Sequence, residues 1–366
     1  MRLLLPLKQN NTDTMKKKTV LLILCLISAV SCRQDTADIP NIILNLEILD
    51  SAQILSPEKV SFNSPISAKK VFVWNDSIFV VQNDKSSGRR FIEIYSSDNN
   101  LIRDYFIRGR GPGEMLDASA FYSNDTLLVE DIFQNSIAVI PLPQAISAYD
   151  FKPELSKYSI RSQFMWPYKN ALLAVNPNRF ICKEYGINND GPRFIISDNS
   201  FSYKDTEKYK FTSFNVTNSS FVISYRNNRI LYYSSTTPEI EIYDLDRNLL
   251  RTIYGPPMSQ DIKYYIDDFN DVSFLSNIPY TYMGCCHNSD FVYLYYIGDF
   301  LSAKNNYDES DFSSYILQFD WDGNFIDSYY IDHYVKSMSL SNDGRYIYAF
   351  GTDHDGESVF YKYLLK

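Results

Sequence analysis

The chain is short of the residues from which catalytic and metal centres are most often built. It holds three histidines and five cysteines in 366 residues. A zinc site needs three or four convergent ligands. The densest cluster, Cys285-Cys286-His287, has no CxxC or HxxxH beside it, and spacing does not join it to His333 or His354. No metal ligand is therefore assigned, and no cofactor is expected. Adjacent cysteines at a strand end read instead as packing residues, because a buried thiol behaves as a small hydrophobe. Five cysteines are also too few for a disulfide framework in an exported chain. GxSxG, HExxH and GxxxxGKS/T are all absent, which removes the nucleophile elbow, the zincin helix and the phosphate-binding loop. Basic charge is scarce as well. The net charge is −9, and residues 1–31 hold five basic side chains and one acidic one. The remainder has 30 basic against 43 acidic side chains, a net of −13. Such a surface excludes nucleic acid as a partner, since a phosphate backbone requires basic contacts. The acidic excess serves solubility.

Long apolar runs are missing apart from Thr19–Ala29, which is too short to span a bilayer. It follows the basic stretch Met15-Lys16-Lys17-Lys18 and ends in Ser28-Ala29-Val30-Ser31-Cys32, the order of a secretory leader. The ending resembles a bacterial lipobox, with Ala29 where leucine is commonest. The resemblance implies that Cys32 becomes a lipidated first residue. An ordinary cleaved signal with an incidental cysteine is the alternative. Residues 1–31 are thus expected to be a signal peptide, with 1–14 upstream of the working start at Met15. Residues 32–40 are expected to be a polar tether, and 41–366 the folded domain.

What the chain has in plenty is tyrosine (30) and phenylalanine (24), residues that favour strands. Arg90–Glu114 reads as strand, turn, strand and glycine-rich exit. The alternation of residues 91–96 has a period of two, and Ser97-Asp98-Asn99-Asn100 carries turn chemistry. An Asn/Asp turn followed by an apolar run recurs six times: at Asn75-Asp76, Asn124-Asp125, Asn170, Asn227-Asn228, Asn288-Ser289-Asp290 and Asn342-Asp343-Gly344. Steps of 45 to 61 residues separate them, the length of a four-stranded propeller blade with some long loops. A second hairpin signature interleaves with the first: SSDNN at 96–100, SDNSF at 197–201, DLDRN at 244–248 and DWDGN at 320–324. The second unit has no clear copy near Pro141–Tyr149. Asp320–Asn324 and Asp353–Glu357 look superficially like calcium loops but lack the twelve-residue ligand ladder, so they read as turns.

These features predict an all-β fold, a six-bladed β-propeller of four-stranded antiparallel blades. The last unit lacks a fourth strand, and Asn41–Leu49 is an apolar stretch without a hairpin partner. Pairing Asn41–Leu49 with Glu357–Leu365 would close the ring and remove two open edges.

On the lipobox-like Ala29–Cys32, the GRGPGE loop Gly109–Glu114 and the IEIYxxDxN hairpins, the chain resembles the six-bladed β-propeller lipoproteins of Bacteroides-type bacteria, a group similar to TolB-like propellers. The resemblance spans Asn41–Lys366. It implies a lipid-anchored place in the cell envelope, at the outer membrane on its periplasmic or surface side. It implies no reaction.

The GRGPGE loop joins an outer strand to the next inner strand, a connection that faces ligands in propellers. Glycines free its backbone and Pro112 fixes one torsion. Arg108, Arg110 and Glu114 are the candidate ligand-binding residues, the arginines suited to gripping a carboxylate or sulfate. The commoner use of such residues is a structural corner, with Arg110 and Glu114 paired to neighbouring blades. The long segment Gly255–Ile278 carries no deciding motif. With no complete catalytic set, the leading expectation is a binding or interaction module for a partner protein, glycan or peptide. The rival is a propeller hydrolase or lyase acting on saccharides. It would need paired carboxylates about 5–10 Å apart across the channel.

Overall fold

Several hairpin turns are set by side chains that tolerate the left-handed backbone. Asn75, Asp76, Asn99 and Asn228 have φ of 49°, 57°, 62° and 55°, a region open to Asn and Asp because their short polar side chains hydrogen-bond locally. In the computed structural model the described residues are 41–63, 68–86, 88–123, 125–131, 133–157, 164–168, 171–176, 179–183, 219–246, 248–260, 264–266, 272–274, 277–302 and 308–365. The leader, Cys32 and the tether lie outside them, as do Asn124, Asn170 and the 197–201 hairpin signature. Residues Asn41–Lys366 form one compact unit. No helix among the described residues is long and apolar enough to cross a membrane.

The N-terminal segment supplies three short strands, β1 (Asn41–Ile43), β2 (Gln53–Ile54) and β3 (Pro57–Lys59). The first full sheet is β4 (Ala68–Trp74), β5 (Ile78–Asn83), β6 (Ile92–Ser96) and β7 (Leu101–Tyr105). The second is β8 (Ser119–Ser123), β9 (Thr126–Asp131), β10 (Ser136–Pro141) and β11 (Leu155–Lys157), with a short helix, Leu142–Ser147, between its last two strands. That helix occupies the place where no hairpin signature could be read. A three-stranded sheet follows: β12 (Phe164–Tyr168), β13 (Ala171–Asn176) and β14 (Arg179–Lys183). Next come β15 (Ser219–Ser224), β16 (Arg229–Ser234), β17 (Glu239–Tyr243) and β18 (Leu249–Tyr254). The small pair β19 (Tyr264–Ile266) and β20 (Val272–Phe274) precedes β21 (Asn277–His287), β22 (Phe291–Ser302), β23 (Ser314–Asp320) and β24 (Phe325–Ile331). The last sheet is β25 (Tyr334–Leu340), β26 (Tyr346–Thr352) and β27 (Ser358–Leu364), completed by β3. Each four-stranded antiparallel sheet is a blade, and the architecture is an all-β propeller.

Apolar cores sit between successive blades rather than inside one sheet. Val80, Ile92 and Ile94 of the first blade pack with Ala120, Leu127 and Val129 of the second. Ile240, Ile242 and Ile253 meet Val292, Leu317 and Phe319. Val71, Val73 and Phe79 meet Tyr348, Phe350 and Phe360, so the first and last blades are neighbours. Both faces of each middle strand are therefore covered, which explains apolar runs such as Phe79-Val80-Val81.

The N-terminal segment corrects the sequence expectation. Asn41–Leu49 is not one strand, and it does not pair with Glu357–Leu365. β1 runs parallel to β18, with Asn41 opposite Thr252, and Glu47–Asp50 form one helical turn. β2 runs parallel to β24. The strand beside β27 is β3, with Pro57 opposite Tyr363 and Lys59 opposite Tyr361. The physical reason is that Leu44 and Leu55 are buried anchors seated in two different cores between blades. The segment runs as a belt over the outer edges of three successive blades, giving each a partner where open backbone would otherwise face other chains.

Candidate functional site

The first strand of every four-stranded blade lies innermost, and β4, β8, β15, β21 and β25 together line a cavity of about 440 Å³ on the axis. A second cavity of about 340 Å³ shares Phe72, Tyr122, Cys285 and Met338 with it and continues toward the other end of the channel. Both volumes are in the range of small-molecule sites.

Register slips build the larger cavity. Between Ala68 and Lys70, β4 advances two residues while β5 advances one, so Lys69 is an extra, bulged residue. Lys336 is bulged in β25 in the same way, between Val335 and Ser337, and Met283 in β21, between Tyr282 and Gly284. All three bulged residues line the cavity. A bulge re-aims a side chain that strict alternation would place elsewhere. Lys70 lies against the aromatic wall, its Nζ 5.6 Å from the centroid of Phe121. Burial, with Lys69 adding like charge, pulls the Lys70 ammonium down to about 8. Lys69 is held by Asp84 at 3.3 Å and Asp117 at 3.9 Å. Glu309, in the turn Glu309–Asp311, accepts a hydrogen bond from the Tyr280 hydroxyl at 3.1 Å. Burial pushes the Tyr334 and Tyr295 hydroxyls well above the usual phenol range, so both remain protonated donors.

Cys285 lines both cavities and Cys286 the smaller one. Burial raises the Cys285 thiol to about 12 and lifts Cys286 well above the usual thiol range, the opposite of an activated thiolate. The histidines do not converge. His287 lines the smaller cavity and stands edge-on to Trp321. His333 is buried with its Nδ1 3.2 Å from the Tyr363 hydroxyl. His354 is exposed beside Asp332. Burial lowers both His287 and His333 to about 4. No group of three or more metal-ligating side chains occurs among the described residues.

The GRGPGE loop lies at the same end of the blades as the larger cavity, because it leads through Asp117 to the ion pair with Lys69. Arg108, Arg110 and Glu114 do not line either cavity. Arg108 and Arg110 are exposed. Glu114 folds back into its own loop and accepts from the Gly111 backbone N–H at 2.6 Å. A Cβ on Gly109 would meet that carboxylate, so a larger residue there would displace the Glu114 side chain. Gln134 donates to the carbonyls of Gly109 and Glu114, and the Leu116 N–H donates to Asp131, which fastens the loop to the β9–β10 hairpin. The lysines at the bulges escaped sequence reasoning. The signal for them was charge inside inner strands, AKKVFVW and YVKSMSL.

An all-β ring with an axial cavity defines a β-propeller with the potential to bind in its channel. The chain belongs to the family described as TolB-like 6-blade propeller-like, which matches residues 47–343. Solved structures agree at the level of the fold. A Bacteroides fragilis protein inferred to be exported superposes with a TM-score of 0.52 at 9% identity, covering 89% of this chain and 100% of the other. A DUF4221 family member from Bacteroides vulgatus superposes with a TM-score of 0.50 at 10% identity, covering 86% of this chain and 97% of the other. No curated protein matches the chain in sequence.

Proposed function

We propose that this protein is an exported binding module, anchored to the cell envelope through Cys32, whose propeller takes a partner protein, glycan or peptide into its axial channel. The observation that carries the reading is the 440 Å³ cavity at the centre of the ring. In this reading residues 1–31 are the signal peptide, with 1–14 upstream of the working start. Residues 32–40 are the tether, and 41–366 a six-bladed ring in which β12–β14 is the remaining blade. Export is supported by the leader pattern and by the inferred export of the Bacteroides fragilis neighbour. Arg108 and Arg110 are the candidate contacts for the part of a larger partner that stays outside the channel, and Glu114 shapes the loop that carries them.

A saccharide hydrolase or lyase would need two carboxylates facing one reaction centre. Among the described residues, the larger cavity is lined by Glu309 and the smaller by Asp125, one carboxylate each. Glu309 is already engaged by the Tyr280 hydroxyl. The binding reading therefore leads.

The test is a thermal-shift screen of the purified protein against glycans and peptides. A ligand that binds the folded state raises the melting temperature with concentration. A concentration-dependent rise, with the ligand recovered unchanged, supports binding, whereas recovery of cleaved ligand supports the enzyme. Labelling with a fatty-acid analogue tests the anchor: wild type should label and Cys32→Ala should not.

A further inference from the structure

We propose that the bulged end of the channel is an anion site, in which the ammonium groups of Lys70 and Lys336 hold the carboxylate of a small organic acid. This rests on the binding reading and narrows it to a ligand class.

Charge accounting within the cavity points there. Lys69 is matched by Asp84 and Asp117. Glu309 accepts from the Tyr280 hydroxyl. Among the described residues, no carboxylate lies within ion-pair distance of Lys70 or Lys336. Two cations therefore face the cavity in a chain whose net charge is −9. A charge held away from water is costly unless a counter-charge and hydrogen bonds accompany it. A bound carboxylate supplies both.

The backbone sets the two lysines at one level. Ser337 Oγ accepts from the Val71 N–H at 3.0 Å and donates to the Val71 carbonyl at 2.8 Å. Lys70 and Lys336 each precede one member of that locked pair, so the innermost strands of the first and last blades present them side by side. Lys336 reaches the channel because it is the extra residue of a bulge. Phe72, Phe121, Met283 and Met338 form an apolar part of the wall, which suits the apolar face of a sugar ring or a side chain. The volume fits one or two sugar or amino-acid units. A uronic acid and a peptide C-terminus share the carboxylate, and the two are separated by experiment.

The experiment is isothermal titration of the full chain in detergent with D-glucuronate against D-glucose, and with Ala-Phe against Ala-Phe amide. At least one acid should bind with a Kd about tenfold below that of its neutral counterpart, the size of one charge-assisted contact. Which acid wins identifies the source. Lys70→Met and Lys336→Met should each weaken that acid about tenfold, while the exposed Lys152→Met leaves it unchanged. Melting curves without ligand establish that each variant is folded. Should Lys70→Met fail to fold, Lys336→Met and the charge-keeping Lys70→Arg carry the test, the latter retaining affinity. Equal binding of acid and neutral ligands, or full acid affinity in folded lysine-to-methionine variants, overturns the anion site and leaves the binding module standing. Failure of both acids to bind also overturns it. The binding module itself falls only if the wider glycan and peptide screen is blank as well.

Discussion

The two ends of the axial channel are made from the same innermost strands, yet their backbones are held differently. At the end of the smaller cavity, turns from adjacent blades are hydrogen-bonded to one another. Asn342 Nδ2 donates to Asn75 Oδ1 at 3.0 Å, Trp74 Nε1 to Asp125 at 2.8 Å, and Asn227 Nδ2 to the Ser289 carbonyl at 2.7 Å. At the end of the larger cavity, three inner strands carry bulges, and the residues those bulges expose are two lysines and a methionine. Stitched turns make a rigid hoop, whereas bulges cost ladder hydrogen bonds and aim side chains inward. On the binding reading proposed above, the comparison divides the molecule into a scaffold end and a recognition end, the arrangement expected when adaptable contacts stand on a rigid frame.

The largest break in the scaffold comes from removing its belt. Deleting residues 41–60 takes away the buried Leu44 and Leu55 and uncovers the edges of β18, β24 and β27. The two leucines alone are worth about 1.5–3 kcal/mol each when fully buried, and open edges invite aggregation. The expected outcome is precipitation on heating or a melting temperature lowered by many degrees. A deletion variant that melts like wild type would show that the belt is dispensable.

Ser337→Ala strikes between the two ends. It leaves the buried Val71 N–H and carbonyl without the hydroxyl that serves both. A buried donor left unpaired costs about 1–3 kcal/mol, so chemical denaturation should show a loss of that order. Ser339→Ala, which removes one bond to the Val73 N–H, should cost less. Equal costs would mean that the two serines do not differ as their bonding implies.

A pH series sharpens the same contrast on a strand that does not itself line the larger cavity. Glu239 in β17 is buried, and burial with Glu241 nearby raises its carboxyl from 4.5 to about 8. Glu241 accepts from the Tyr243 hydroxyl, and Tyr254 is the other titratable group near both carboxylates. Folding thus favours protonated Glu239. Its contribution is fully present below pH 4.5 and is lost as pH rises toward 8. Glu239→Gln should flatten the fall of melting temperature across that window. An unchanged slope would mean that Glu239 ionises in the folded protein as it does in water.

Local chemistry was the legible part of this chain. The described Asn/Asp turn signatures head the first hairpins of their blades because an Asx side chain satisfies its own turn. Asn288 Oδ1 accepts from the N–H groups of Asp290 and Phe291, and Asp343 Oδ1 from that of Arg345. What stayed hidden was relational. Alternation in Asn41–Leu49 shows that apolar residues seek cover but not which edge covers them. The strand that joins β27 is masked in the sequence by Pro57, Glu58 and Lys59, residues typical of exposed edges. The cavity lysines were hidden for a similar reason, because a bulge is a slip between two strands and neither strand's sequence records it.

The smallest effect on stability belongs to the recognition side, at the glycine-rich loop. Arg110 is exposed and lines neither cavity. The loop it sits in is held by Gln134, Asp131 and Glu114, none of which uses the arginine. Arg110→Ala should therefore change stability by less than about 0.5 kcal/mol. Its expected effect is on the affinity for a partner large enough to reach beyond the channel, with small acids bound as before. A lowered melting temperature with unchanged partner affinity would make Arg110 a structural member of the corner and leave recognition to the channel alone.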